Sequence, residues 1–256
     1  MSDAFRDRLL RGDRLIGTII SLPAPELAEI SSEAGFDWLF LDAEHAPLSP
    51  IALQSMLQAA GATQAGGREV ACLVRVPSLT ESDIKHTLDV GATGVVVPQV
   101  HNAELAAQAV QWARYHPAGR RGMGVYRANH YGFQVSEYLQ QAAEQTVVVV
   151  QAESTEAVRN IDAIARVPGV DAVLIGPYDL SASLGHPGDL AHPDFRDAVN
   201  RITLACQAQG LPLGIFGMNV EAVRPYMVRG YNLILMSVDA VLLGQAARDL
   251  LRSARM

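Results

Sequence analysis

The stretch Thr146-Val147-Val148-Val149-Val150-Gln151-Ala152-Glu153-Ser154-Thr155-Glu156 decides how the rest of the chain is read. Its unbroken valines leave no polar side to turn towards water, which is the pattern of a strand covered on both faces, as strands of parallel sheets are. Gln151 and Glu153 appear where the apolar run ends, and Ser154 with Glu156 then supplies a helix cap beside an early acid. A buried strand, a polar strand end and a helix start make one βα unit.

The same unit recurs along the chain. Apolar runs at 15–20, 38–42, 71–76, 94–100, 146–151, 172–176, 213–217 and 233–237 alternate with segments of helical periodicity near 24–34, 50–64, 81–90, 102–115, 154–166, 193–209, 220–229 and 239–254. Eight strands alternating with eight helices predict an α/β protein, a single (β/α)8 TIM barrel over residues 1–256. An open doubly wound sheet is the competing architecture, but no GxGxxG follows the first strand and no GxxxxGK[ST] occurs. Residues 116–134 lack periodicity, and a long loop in a compact domain is commonly functional. It is expected to serve either the active site or a subunit contact.

Composition narrows the function classes. Twenty Lys and Arg against 27 Asp and Glu leave a formal net charge of −7 over 256 residues, so nucleic acid is not an expected partner. No apolar run approaches the ~20 residues of a membrane helix, and charges interrupt the first apolar residues where a signal peptide needs an apolar core. A cytoplasmic protein without a membrane partner is expected. Cys72 and Cys206 stand apart from any metal or disulfide motif and read as small buried hydrophobes.

Chemistry in this architecture gathers at the C-terminal ends of the strands. Polar residues stand there: Asp42, Glu44 and His45 after the second strand, Arg75 on the third, Gln99 on the fourth, Gln151 and Glu153 on the fifth, Asp179 after the sixth. Glu153 and Asp179 come from neighbouring strands and together suit a hard divalent ion such as Mg²⁺ or Mn²⁺. Taken singly, each is equally well read as an acid at a helix start. His45, with Asp42 three residues earlier to fix its tautomer, is a candidate general base, while the other six histidines are read as solvated or structural. Arg75 is a candidate electrophile, or else a member of a structural ion pair. Gly176-Pro177-Tyr178-Asp179 turns from the sixth strand into a helix whose first N–H groups suit an anion.

These motifs resemble the HpcH/HpaI-type class II 2-oxo-acid (pyruvate) aldolases of the phosphoenolpyruvate/pyruvate barrel superfamily. The resemblance rests on Phe36-Asp37-Trp38-Leu39-Phe40-Leu41-Asp42-Ala43-Glu44-His45, Arg75-Val76-Pro77, Leu88-Asp89-Val90-Gly91-Ala92, Val97-Pro98-Gln99-Val100, Arg121-Gly122-Met123-Gly124, Gln151-Ala152-Glu153 and Gly176-Pro177-Tyr178-Asp179-Leu180-Ser181, in order along nearly the whole chain. It implies that Glu153 and Asp179 ligate a divalent cofactor, Mg²⁺, Mn²⁺ or Co²⁺, on which a 2-oxo acid binds. It further implies that His45, oriented by Asp42, moves protons at the aldehyde end, and that Arg75 stabilises the enolate. By the same resemblance Gln151 contacts the oxo acid, while Gly176, Pro177 and the amides of Tyr178 and Asp179 hold its carboxylate. Asp89 is implied to reach the site of a neighbouring subunit, in a homo-oligomer that the resemblance makes a hexamer.

The implied reaction is reversible cleavage of a 4-hydroxy-2-oxo acid to pyruvate, or an analogue such as hydroxypyruvate, and an aldehyde. Lys85 is the only lysine and falls in a predicted helix, which argues against a Schiff-base route. Position 178 departs from the family, many of whose members carry a small residue where this chain has Tyr. Two other readings stand beside the aldolase: a citramalyl- or malyl-CoA-type lyase of the same superfamily, and a non-catalytic barrel that binds a 2-oxo acid.

Overall fold

The structure is a computed structural model and describes residues 4–63 and 70–255. Eight parallel strands close into a barrel in sequence order: β1 (Leu15–Ile20), β2 (Trp38–Asp42), β3 (Ala71–Arg75), β4 (Gly94–Val97), β5 (Val147–Ala152), β6 (Ala172–Ile175), β7 (Leu213–Gly217) and β8 (Leu233–Val238). The helices are α1 (Phe5–Arg11), α2 (Pro25–Glu33), α3 (Pro50–Ala62), α4 (Glu81–Asp89), α5 (Ala103–Ala113), α6 (Val135–Gln145), α7 (Thr155–Ile164), α8 (Pro177–Ser183), α9 (Pro193–Ala208), α10 (Val220–Val228) and α11 (Asp239–Ala254). This is the (β/α)8 architecture that the alternation predicts. No helix among the described residues is long and apolar enough to cross a membrane.

Two apolar layers hold the barrel. Trp38, Phe40, Leu73, Val96, Val149, Leu174 and Leu235 fill its interior, while alternate strand residues such as Val95, Val148, Val150 and Val173 pack outward against the helices. That double demand is why the strands read as continuous hydrophobe. The indole of Trp38 donates to the Leu15 carbonyl, and Gly17 leaves it room: a Cβ on Gly17 would meet the indole at 2.5 Å. Helix α1 closes the N-terminal end of the barrel, with Leu9 fully buried in the interior layer.

Every predicted helix is present, each within a few residues of its expected ends. The prediction for 50–64 runs past Ala62, the end of α3, and its last residue, Gln64, lies outside the described residues. Side-chain caps set several starts, among them Ser49, Thr80, Asn102, Ser154 and Asn219, each accepting a backbone N–H three residues on. β4 ends at Val97 rather than at residue 100, because Pro98 has no N–H for the ladder and Gln99 turns to a φ of +55°. The alternation of strands and helices does not predict α1 and α6, which lie outside the eight βα units and bury one residue each, Leu9 and Ala142.

The aperiodic segment before α6 belongs to the end of the barrel opposite the strand C-termini. It follows α5, not a strand, and Arg127 within it donates to the carbonyls of Val90, the C-cap of α4, and of Leu57 in the second half of α3. The expectation that it serves this chain's own active site is therefore corrected.

Candidate active site

Asp42 and Arg75 are the last residues of β2 and β3 and are paired in register. Parallel pairing places their side chains at the barrel mouth, and both are buried. Arg75 Nε donates to Asp42 Oδ1 at 2.9 Å and Nη2 to Oδ2 at 2.7 Å, a two-pronged contact matched to a carboxylate. Its Nη1 lies 3.2 Å from Glu44 Oε2. Burial pushes the Asp42 carboxyl up, but the hydrogen bonds and charge of Arg75 outweigh it and hold Asp42 below its ordinary value. Burial also disfavours charge on Arg75, yet Asp42, Glu44 and Glu153 together raise its pKa, so it stays a fixed cation.

His45 departs from expectation. The Asp42 carboxylate does not hold its ring: both oxygens are taken by Arg75, and Oδ1 also accepts the backbone N–H groups of Glu44 and His45 at 3.1 and 3.2 Å. The His45 side chain is 65% exposed, with Nε2 3.8 Å from Glu44 Oε2. Asp42 thus orients the turn and the arginine rather than the imidazole.

Glu153 follows β5 and is buried. Its Oε1 accepts the N–H of Gln99 at 2.6 Å, and its Oε2 accepts the side-chain amide of Gln151. Gln99 reaches it from a left-handed conformation, which costs a non-glycine residue of order 1 kcal/mol and is found where geometry is held for function. Gly176 makes the close packing possible, since a Cβ there would lie 2.8 Å from the Gln151 amide and 2.9 Å from Glu153 Oε2. Pro177 then opens α8, with Asp179 in its first turn.

The electrostatics favour a cation. Burial pushes the Glu153 carboxyl up to about 7, with the Gln99 N–H opposing and the charges of Asp179 and Glu44 adding to the rise. Burial likewise raises Glu44, against the pull of Arg75 and His45. Gln151 Oε1 is buried with no hydrogen-bond partner. Glu44, Glu153 and Asp179 lie near enough for their charges to act on one another, and Arg75 shares its charge with Glu44 and Glu153 as well as Asp42. Such an all-oxygen set fits a hard divalent ion.

Glu44 is the member that sequence reasoning left without a role; its place between Asp42 and His45 was the available signal. Gln99 contributes its backbone N–H, which no residue pattern announces. Asp89, at the end of α4, lies at the opposite end of the barrel and pairs with Arg121 at 2.7 Å, so within one chain it is not brought to His45. Of the histidines read as structural, His186 and His192 stack with ring centroids 3.4 Å apart beside Asp194, and His192 Nδ1 caps α9 by accepting the Asp194 N–H.

Residues 16–246 match the family described as HpcH/HpaI aldolase/citrate lyase. A 4-hydroxy-2-oxovalerate aldolase from Rhodococcus jostii (strain RHA1) is 39% identical over 243 residues, 95% of this chain and 92% of that protein. A hydroxypyruvate/pyruvate aldolase from Pseudomonas aeruginosa is 39% identical over 248 residues, covering 96% and 90%. The crystal structure of an HpcH/HpaI aldolase/citrate lyase family protein from Burkholderia cenocepacia J2315 matches with a TM-score of 0.93 at 37% identity, over 98% of both chains. With the family model, these relatives and the fold in agreement along nearly its full length, the chain belongs to the HpcH/HpaI aldolase/citrate lyase family.

Proposed function

We propose that this barrel is a divalent-metal-dependent class II aldolase, reversibly cleaving a 4-hydroxy-2-oxo acid to pyruvate, or an analogue such as hydroxypyruvate, and an aldehyde. The observation that carries the reading is buried Glu153, its carboxyl pushed up to about 7 beside Asp179 and Glu44, with Arg75 as the fixed cation next to them. Aldolase relatives at 39% identity over almost the whole chain support it.

Glu153 and Asp179 would hold the ion, Mg²⁺, Mn²⁺ or Co²⁺, with the Gln151 side-chain amide hydrogen-bonded to Glu153 beside it. A divalent ion there supplies Lewis-acid stabilisation of the charge that builds on the oxo oxygen as the carbon–carbon bond breaks. Arg75, kept in place by Asp42, adds a second positive charge that costs no reorganisation during the reaction. The N–H groups of Tyr178 and Asp179, at the start of α8, bind the substrate carboxylate. His45 takes the proton from the 4-hydroxyl in cleavage and returns it in addition, and its exposure lets it exchange that proton with water.

No second lysine is present to offer a Schiff-base route. Lys85, the chain's only lysine, lies on α4 with Nζ 3.9 Å from Glu81 Oε1, away from the strand ends. Asp89 serves the reaction only in an assembly: in a homo-oligomer, a hexamer in this proposal, a neighbouring subunit presents it to the site.

The test is pyruvate formation from 4-hydroxy-2-oxovalerate and longer 4-hydroxy-2-oxo acids, followed by a coupled lactate dehydrogenase reaction with Mg²⁺, Mn²⁺ or Co²⁺ supplied. Turnover of at least one of these acids is expected. Absence of cleavage with all of them and all three metals overturns the reading.

A further inference from the structure

The barrel mouth is lined unevenly. The sector formed by β2, β3 and β5 ends in charged groups, among them Asp42, Arg75 and Glu153, whereas β6, β7 and β1 lead into Tyr178, Met218 and Leu22, which are 45%, 39% and 40% exposed. Tyr178 is the most firmly placed of these three. Its ring packs on Phe216 with centroids 6.2 Å apart at 54°. Phe216 is a β7 residue that packs against the interior layer containing Phe40 and Leu174, so Tyr178 rests on the top of the barrel core. Met218 follows directly after the last residue of β7 and is partly exposed. Tyr178 and Asp179 both stand in the first turn of α8, so the ring belongs to the same end of the barrel as the carboxylates proposed to hold the ion.

We propose that Tyr178 forms, with Phe216 beneath it, the wall that receives the aldehyde, and that it favours acceptors carrying an alkyl or aryl segment next to the carbonyl over those hydroxylated at every carbon. The inference rests on the aldolase reading of the site. An apolar segment laid on this wall removes hydrocarbon from water on both partners, whereas a polyhydroxylated chain would leave hydroxyls facing aromatic and thioether surface without hydrogen bonds. In the polar sector, Asp42 and Arg75 are engaged with each other and Glu153 with Gln99 and Gln151, which leaves these groups little capacity for acceptor hydroxyls. Discrimination then comes from the ring face, and the phenol hydroxyl is dispensable.

The test compares wild type, Tyr178→Ala and Tyr178→Phe in pyruvate addition to butanal and to D-glyceraldehyde, with Mn²⁺ supplied. The ratio of kcat/KM for butanal to that for D-glyceraldehyde is expected to fall about tenfold in Tyr178→Ala and to stay near wild type in Tyr178→Phe. Exchange of the pyruvate methyl protons with D₂O, which needs no aldehyde, is followed in parallel by NMR. It reports the oxo-acid half of the reaction separately from the acceptor. An unchanged ratio in Tyr178→Ala, or an equal loss in Tyr178→Phe, overturns the assignment of the ring. Absence of exchange in the wild type instead overturns the aldolase reading itself, and the acceptor wall with it.

Discussion

Arg75 grips Asp42 through two hydrogen bonds of 2.9 and 2.7 Å, and the pair exists because the two residues stand opposite each other at the ends of β2 and β3. Both are buried, so the contact is not screened as a surface pair would be. Replacing Asp42 with Ala leaves the arginine with Glu44 at 3.2 Å and the charge of Glu153, but without its two-pronged partner. A loss of about 3–5 kcal/mol is expected from urea unfolding, the range for breaking a buried ion pair from one side. The Asp42 carboxyl is held below its ordinary value, so its contribution is present at neutral pH and disappears as pH falls through the folded-state pKa. Wild type and Asp42→Ala should therefore converge in stability in acid, and equal stability at pH 7 would contradict the pairing.

Glu153 has the opposite sign. Its folded-state pKa of about 7 lies above the ordinary 4.5, so the stability it permits is complete below about pH 4.5 and is lost as pH rises through 7. Converted directly, that shift corresponds to about 3 kcal/mol at pH 8 in protein treated with chelator. Melting temperatures of wild type and Glu153→Gln between pH 5 and 8 give the check: the variant should gain on wild type as pH rises. Added Mn²⁺ should raise the wild-type melting temperature more at pH 8 than at pH 6, since a proton and the ion compete for the same carboxylate.

Gly176 tests the packing of the site with little disturbance elsewhere. Its φ of −88° is open to any residue, so Gly176→Ala introduces no backbone strain and acts only through the Cβ contacts with the Gln151 amide and Glu153 Oε2. Displacing those groups by a fraction of an ångström should lower pyruvate formation about 10²-fold while the circular dichroism spectrum is retained. Full activity would show that the tight cradle is not needed.

For His45 the expected split is between activity and stability. The side chain is 65% exposed, so His45→Ala should change unfolding by no more than about 0.5 kcal/mol. Removing a proton-transfer group should lower kcat for cleavage by about 10²–10⁴. A comparable loss of stability would instead make His45 structural.

The barrel was legible because a strand covered on both faces must be apolar throughout, and Val147 to Val150 state that requirement with no interruption. Glu153, Asp179 and Arg75 stood out because charge at the end of such a strand needs a partner. The partners themselves were not legible. That Arg75, rather than His45, takes both Asp42 oxygens follows from the β2–β3 register, which residue types do not reveal. The Gln99 contact comes from a backbone N–H aimed by a left-handed φ, and it leaves no mark on the side-chain pattern. Asp89 belongs to a recognisable motif, yet its own helix carries it to the far end of the barrel, where Arg121 holds it.

The central claim is that Glu153 and Asp179 hold the ion on which carbon–carbon cleavage depends. Its most direct test is a Mn²⁺ titration of chelator-treated protein at pH 8, with bound ion read by electron paramagnetic resonance and pyruvate formation measured on the same samples. Wild type should bind one ion per chain, with turnover rising in step with occupancy, and Glu153→Gln should lose both. Full turnover before Mn²⁺ is added, or undiminished binding in Glu153→Gln, would contradict it.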